Sequence, residues 1–414
     1  MSTLRVERVQ ELVSELGKIG LTAQGGVTRL TYSPAYKAGM DYLTDVMKAA
    51  GMQVSIDPVG NLIGSYLGTE ADWPAVLTGS HLDTVPEGGQ LDGAMGLAAS
   101  IECIRSWHEV GWQPRRTVKV IATIEEEGTL FGLGCFGSRV LAGELGNKST
   151  EDFKDAEGRT MTWHLQQIGL NPEGALQNAK IDPSTISCYI ELHVEQGEDL
   201  VLSDIPCAVV TDIIGIDRHW IVVHGRANHA GTTRMNRRCD ALVAASDLVM
   251  QLNQLALESD GRYVATVGTL EVPSGAMNIV PGTVALGIEA RFAKPEVADE
   301  VRSALASCIQ AIENSHGVQV ERVKHLYAPP VSLGNYIVEK ISEAAQEAGA
   351  RYVQMPSWAG HDAKILATMF PSGMIFVPSL DGISHNPGEA TKWNDVAEGL
   401  KVLNQALKNL SSLP

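Results

Sequence analysis

At 414 residues the chain is too long for one ordinary hydrophobic core, so two domains are expected. Its 44% hydrophobic and 20% charged residues are those of an average globular protein, and 41 glycines against 5% aromatics suit many tight strand-to-helix turns. A net charge of −17 argues against nucleic acid and anionic membranes, although a pocket can oppose that sign locally and take a small anion.

The opening Met1-Ser2-Thr3-Leu4-Arg5-Val6-Glu7 has an acid and no apolar core, unlike a signal peptide, and no run of about 18 apolar residues follows anywhere to span a membrane. Six scattered cysteines with no C-x-x-C pair read as reduced, buried thiols, and a cytoplasmic location is expected. Val6, Val9, Leu12, Val13 and Leu16 recur at helical spacing, and a second helix is expected over 35–50, stopping at Gly51. Strands follow at 53–56 and 61–66 around an Asp-Pro-Val-Gly turn, then at 75–79, 117–124 and 187–193, with a helix over 93–110. Alternating β and α segments imply an α/β fold with a mixed, mostly parallel sheet flanked by helices. Such sheets place their chemistry beyond the carboxyl ends of the strands.

Residues 210–327 follow another pattern. A strand near 220–225, a helix over 239–257, strands near 263–272 and 283–292, a helix over 295–315 and a strand near 318–323 give the order β-α-β-β-α-β. That order describes an inserted α+β, ferredoxin-like unit. The division is therefore 1–209 with 328–414 for the first domain and 210–327 for the second.

Four segments concentrate acids and histidines. They are Gly79-Ser80-His81-Leu82-Asp83 with Gln90-Leu91-Asp92-Gly93, Ile124-Glu125-Glu126-Glu127-Gly128, Glu191-Leu192-His193-Val194-Glu195-Gln196, and Ser384-His385-Asn386-Pro387. His81 and Asp83 share a face in extended chain, so the Asp83 carboxylate is expected to accept from the imidazole and leave the other nitrogen for a metal. Three glutamates directly after the buried-strand pattern Val118-Lys119-Val120-Ile121-Ala122-Thr123-Ile124 repel one another, and nearby cations relieve that repulsion.

These segments, with Gly26-Val27-Thr28-Arg29-Leu30, Asn228-His229-Ala230-Gly231-Thr232-Thr233, Met277-Asn278-Ile279-Val280-Pro281-Gly282 and Gly360-His361-Asp362-Ala363, resemble the dinuclear metallo-aminoacylase and carboxypeptidase superfamily along nearly the whole chain. Within it they are similar to the hydantoinase/carbamoylase branch of N-carbamoyl-L-amino-acid hydrolases, β-ureidopropionases and allantoate amidohydrolases. The resemblance implies two divalent metal ions (Zn, Mn, Co or Ni) bridged by Asp92, one completed by His81 and His193, the other by Glu127 and His385. It implies a metal-bridged hydroxide as nucleophile and Glu126 as general base, with Asp83 supporting the catalytic group. His229 would stabilise the oxyanion from the second subunit of a homodimer, the inserted domain serving as lid and dimerisation element. Gln196, Asn278, Arg291, Arg218 and His361 would contact a small anionic ureido substrate. The implied reaction releases amino acid, CO2 and ammonia from an N-carbamoyl-L-amino acid.

Three departures touch the substrate and leave the metal set intact. Leu130 stands before Phe131 where the family usually has Arg, Thr233-Arg234-Met235 replaces a common Thr-Thr-Pro-Met, and Gly215-Ile216-Asp217-Arg218 lacks the Gln-Arg-Arg of typical allantoate enzymes. Allantoate hydrolysis, an aminoacylase or dipeptidase activity, and a non-catalytic binding protein remain the alternatives.

Overall fold

The structure is a computed structural model describing residues 4–273 and 275–413, so the first three residues of the N-terminal segment lie outside it. The chain divides into two compact units, 1–211 with 332–414 and 212–331.

In the first unit, the strands Leu62–Tyr66, Val118–Thr123, Ala75–His81, Ile186–Val194 and Ser372–Val377 lie side by side in that order. The last four are mutually parallel, while Leu62–Tyr66 runs antiparallel to its neighbour. Gln53–Ile56 extends one flank and Cys207–Ile213 the other, both antiparallel. Ala75–His81 is buried at every position, as a strand covered on both faces must be. Helix Ala94–Val110 is accordingly buried over most of its surface and packs on this strand and on Ile186–Val194. The amphipathic helix Val6–Lys18 buries Val9, Leu12, Val13 and Leu16, the stripe read from the sequence.

Parallel pairing has one consequence for chemistry: four strands deliver their carboxyl ends to one edge of the sheet. His81 is in register with Thr123, and His193 with Phe376. Asp83, the Glu125–Glu127 run, Gln196 and the loop to His385 all follow these strand ends directly.

A side-chain staple sets the height of the glutamate run. The Asp57 carboxylate accepts the backbone N–H groups of Val59, Gly60 and Asn61 at 3.0, 2.8 and 2.8 Å, and Asn61 Nδ2 donates to it at 2.6 Å. Asn61, fully buried, then accepts the Ile124 N–H through Oδ1 at 3.0 Å.

The second unit has the expected order, with strands Gly215–His224, Tyr263–Glu271, Thr283–Phe292 and Gln319–Ala328 and helices Ala241–Glu258 and Pro295–His316. Its antiparallel sheet runs Gln319–Ala328, Gly215–His224, Thr283–Phe292, Tyr263–Glu271 from edge to edge. Ile221, Val223, Leu248, Val284, Leu286, Leu305 and Ile312 form the core between sheet and helices. The first strand begins at Gly215, five residues before the expected start. Gly215, Asp217 and His219 are its buried alternates, and two polar residues on the inward face conceal the apolar period. Gln319–Ala328 likewise runs past residue 323, because an exposed edge strand needs no apolar alternation. Among the described residues, no helix is long and apolar enough to cross a membrane.

Asn61→Ala should leave the buried Ile124 N–H without its acceptor and lower stability by roughly 1–3 kcal/mol in denaturant unfolding. An unchanged midpoint would show that this bond does not hold the strand end.

Candidate metal centre

Asp92 sits at the middle of the strand-end edge, 6% exposed, and its two oxygens face different partners. Oδ1 lies 3.1 Å from His81 Nε2 and 3.0 Å from His193 Nε2. Oδ2 lies 3.3 Å from His385 Nε2, which is 3.4 Å from Glu127 Oε2. The result is two three-residue groups, His81–Asp92–His193 and Asp92–Glu127–His385, each with its donor atoms within 4.8 Å of one another. Glu126 belongs to neither. It lies beside the centre, where Cys135 Sγ approaches its Oε1 at 3.5 Å.

The imidazoles are oriented by backbone. His81 Nδ1 is 3.0 Å from the Asp83 carbonyl and His193 Nδ1 is 2.9 Å from the Val194 carbonyl, so an Nδ1–H donating to each would leave Nε2 free toward Asp92. This corrects the expected role of the Asp83 carboxylate, whose Oδ1 is 3.8 Å from the ring. That carboxylate instead accepts the N–H groups of Glu126 and Glu127 at 3.1 and 3.2 Å, pinning the backbone of the glutamate run. Gly93 permits the close fit: its φ is +66°, and a Cβ there would stand 2.5 Å from the His81 carbonyl oxygen and 2.6 Å from its ring.

Several supporting residues carry weaker sequence signals. Glu389 accepts the Leu91 and Asp92 N–H groups at 2.8 and 3.1 Å and the Ser384 hydroxyl at 3.0 Å, tying the Asp92 loop to the His385 loop. Only proximity in the fold distinguishes it from any other loop glutamate. Buried Asp362 accepts from Ser138 and Thr123, and buried Glu191 accepts from Ser80. Both occur in segments singled out from the sequence, where each reads as a neighbour of a histidine. Glu125, Gln196 and His385 adopt left-handed backbone with φ of 53°, 60° and 54°. Three non-glycine residues in this region beside one carboxylate mark a strained site.

The remaining predicted contacts are distributed. Gln196 Nε2 donates to Asp92 Oδ2 at 2.8 Å, placing the carboxamide at the centre itself. His361 is buried edge-on against the His193 ring, centroids 4.6 Å apart, with Nε2 3.0 Å from Ser357 Oγ. In the second unit, Arg218 and Arg291 share Glu289, their Nε atoms donating at 2.5 and 2.7 Å. Exposed His229 accepts the Gly231 N–H at Nδ1, 3.0 Å away, and Asn278 offers its carbonyl to the Ala230 N–H at 2.9 Å.

Residues 77–409 match the peptidase family M20/M25/M40. The chain is 36% identical over 397 residues to an N-carbamoyl-L-amino acid amidohydrolase of Geobacillus stearothermophilus, covering 96% of each protein. It is 34% identical over 412 residues to an allantoate amidohydrolase of Escherichia coli, covering 98% of each. A crystal structure of a hydantoinase/carbamoylase family amidase from Burkholderia multivorans superposes with a TM-score of 0.91 at 33% identity, over 100% of this chain and 99% of that one. The chain belongs to the M20 family, in its hydantoinase/carbamoylase branch. It is an amidohydrolase.

The donor set of this M20 amidohydrolase fits divalent cations. Asp83, Asp92, Glu126, Glu127, Glu191 and Asp362 are close enough to perturb one another or the same histidines. Burial, reinforced by Asp362, Glu127 and Asp92 against the opposing His81, pushes Glu126 well above the carboxylate range. Burial raises Glu127 to about 7 with Asp92 adding to it, and raises Glu125 and Glu191 to about 7 as well. Burial opposes ionisation of Asp92 too, but His193, His385 and His81 outweigh it and hold Asp92 well below its ordinary value. His193 Nε2, buried, lies 3.0 Å from Asp92 Oδ1 without the full alignment of a hydrogen bond. A crowded anionic edge with imidazole nitrogens gathered on the same carboxylate is what a cation would complete.

These shifts have a sign. Folded-state values near 7 for Glu125, Glu127 and Glu191, against an ordinary 4.5, mean that the metal-free fold binds extra protons between about pH 4.5 and 7. The raised His81, His193 and His385 likewise add stability that is lost as pH rises through their folded values. Chelated protein should therefore show a Tm that falls as pH is raised from about 5 to 8, and metal-loaded protein should largely lose that fall. A chelated Tm that rises over this window in calorimetry would contradict the reading.

Proposed function

We propose that the chain hydrolyses the carbamoyl C–N bond of an N-carbamoyl-L-amino acid, giving the amino acid, CO2 and ammonia. The observation that carries this reading is the division of one carboxylate between two ligand groups, with Glu126 left outside both. His81, Asp92 and His193 would hold one divalent ion, and Asp92, Glu127 and His385 the second. Mixed nitrogen and oxygen donors suit Zn, Mn, Co or Ni. Two such ions would polarise the scissile carbonyl and lower the pKa of an attacking water.

The chain's own groups would do the rest. Glu126, outside both ligand groups and beside them, would take the water proton and return it to the leaving nitrogen. Asp83 would hold Glu126 in place through the backbone. His229 would donate to the developing oxyanion from the second subunit of a homodimer. Arg218, Arg291, Asn278, Gln196 and His361 would form the polar contacts, with the guanidinium forks suited to the substrate carboxylate.

The carbamoyl-amino-acid reading draws support from the Geobacillus relative and from the absence of the Gln-Arg-Arg pattern around Arg218. The Escherichia coli relative keeps allantoate as the second reading. A homodimer is proposed through the second unit. There Val243, Met250 and Leu257 recur every seven residues along one helix at 51%, 66% and 70% exposure, an uncovered apolar stripe that supports an interface. Six free cysteines support a reducing, cytoplasmic compartment.

The deciding experiment measures ammonia release from Mn2+- or Co2+-reconstituted protein with N-carbamoyl-L-methionine and allantoate in parallel. Faster turnover of the first supports the proposal. Preference for allantoate selects the second reading, and cleavage of only an N-acyl amino acid or dipeptide rejects both. Glu126→Gln should lower kcat by about 10²- to 10⁴-fold with metal content unchanged. Loss of metal alongside activity would instead place Glu126 among the ligands.

A further inference from the structure

The second unit contains another group with the geometry of the Asp92 centre. Asp217 and His219 lie on the inward face of Gly215–His224, and His325, directly opposite His219, lies on the edge strand Gln319–Ala328. Asp217 Oδ1 is 3.0 Å from His219 Nε2 and 2.5 Å from His325 Nε2. The two rings stack with centroids 4.6 Å apart and planes 16° from parallel. The three donor atoms lie within 4.8 Å of one another, as in the His81–Asp92–His193 group.

From this we propose that Asp217, His219 and His325 form a separate binding site for one divalent transition-metal ion. A hydrogen bond between His325 and Asp217 accounts for one imidazole only. His219 is 5% exposed, and its Nε2, 3.0 Å from the same oxygen, lacks the alignment of a hydrogen bond. A buried polar atom left unbonded is costly. An ion bonded to both Nε2 atoms and to Oδ1 removes that cost by replacing the proton that His325 shares with Asp217. Two imidazoles and a carboxylate select Zn2+, Co2+, Ni2+ or Cu2+ over Mg2+ and Ca2+.

The surroundings also set the strength of the site. Arg302 donates to Asp217 Oδ2 at 2.7 Å, which fixes the carboxylate and leaves Oδ1 to the ion. Its positive charge opposes a cation, whereas the Asp92 centre is ringed by acids. The third ion is therefore the weakest held and the first removed by a chelator. His325, half exposed, leaves a route in from solvent. The ion would join the edge strand to its neighbour where their register shifts between Arg322 and Lys324.

The test is zinc content of the full chain by equilibrium dialysis and elemental analysis, for the wild type, His325→Gln and His224→Gln. His325→Gln removes a ligand at a half-exposed position and should preserve the fold, as far-ultraviolet circular dichroism would verify. It should hold one zinc fewer per chain than the wild type, three falling to two, with His224→Gln unchanged. If the Asp92 centre bound nothing, the same difference would appear as one falling to none, so the two proposals fail separately. Equal zinc in the wild type and His325→Gln overturns the site. An equal loss in His224→Gln overturns it too, by showing adventitious surface binding.

Discussion

Carboxyl groups and imidazoles crowded onto one edge of a sheet set the terms for the first unit. Carboxylates so placed cannot all ionise without compensation, and the protein supplies it unevenly. Asp92 keeps its charge because three histidines face it, while Glu126 and Glu127 are pushed upward by burial and by neighbouring carboxylates. Packing alone would exclude such a cluster. Its persistence makes sense as a receptor for positive charge, and the M20 family relationship agrees with that reading.

Holding the cluster requires backbone in unusual states. Gly93 lies against His81 where no side chain fits, and Glu125, Gln196 and His385 turn in left-handed conformations directly after strand ends. Each such turn costs about 1 kcal/mol or more, which surrounding hydrogen bonds must offset. Asp83 on the Glu126 and Glu127 amides, Glu389 on the Leu91 and Asp92 amides, and Ser379 on the Gln196 amide provide that support. The acids nearest the centre thus divide between groups that face it and groups that hold its backbone.

The second unit shows the same logic at smaller scale. Its core is ordinary aliphatic packing between two helices and a sheet, interrupted at one end by Asp217, His219 and Arg302. Polar residues on an inward strand face are tolerated when they satisfy one another, and here one imidazole nitrogen is left over.

By itself, the sequence determined the strand and helix alternation, the order of the inserted unit and the four segments that converge, because apolar period and strand-end position are local properties of the chain. Family resemblance carried His81, Asp92, Glu127, His193 and His385 as a set, and their side chains do meet. Only the tertiary structure decided that Asp83 serves the glutamate backbone rather than the His81 ring, since a two-residue spacing defines a shared face and says nothing about which donor arrives from another strand. It alone disclosed Glu389, 297 residues from Asp92, and the early start of Gly215–His224, where buried polar side chains erase the pattern that marks a strand. Hydrogen bonds between distant segments depend on how strands pair, and that pairing is a property of the whole chain.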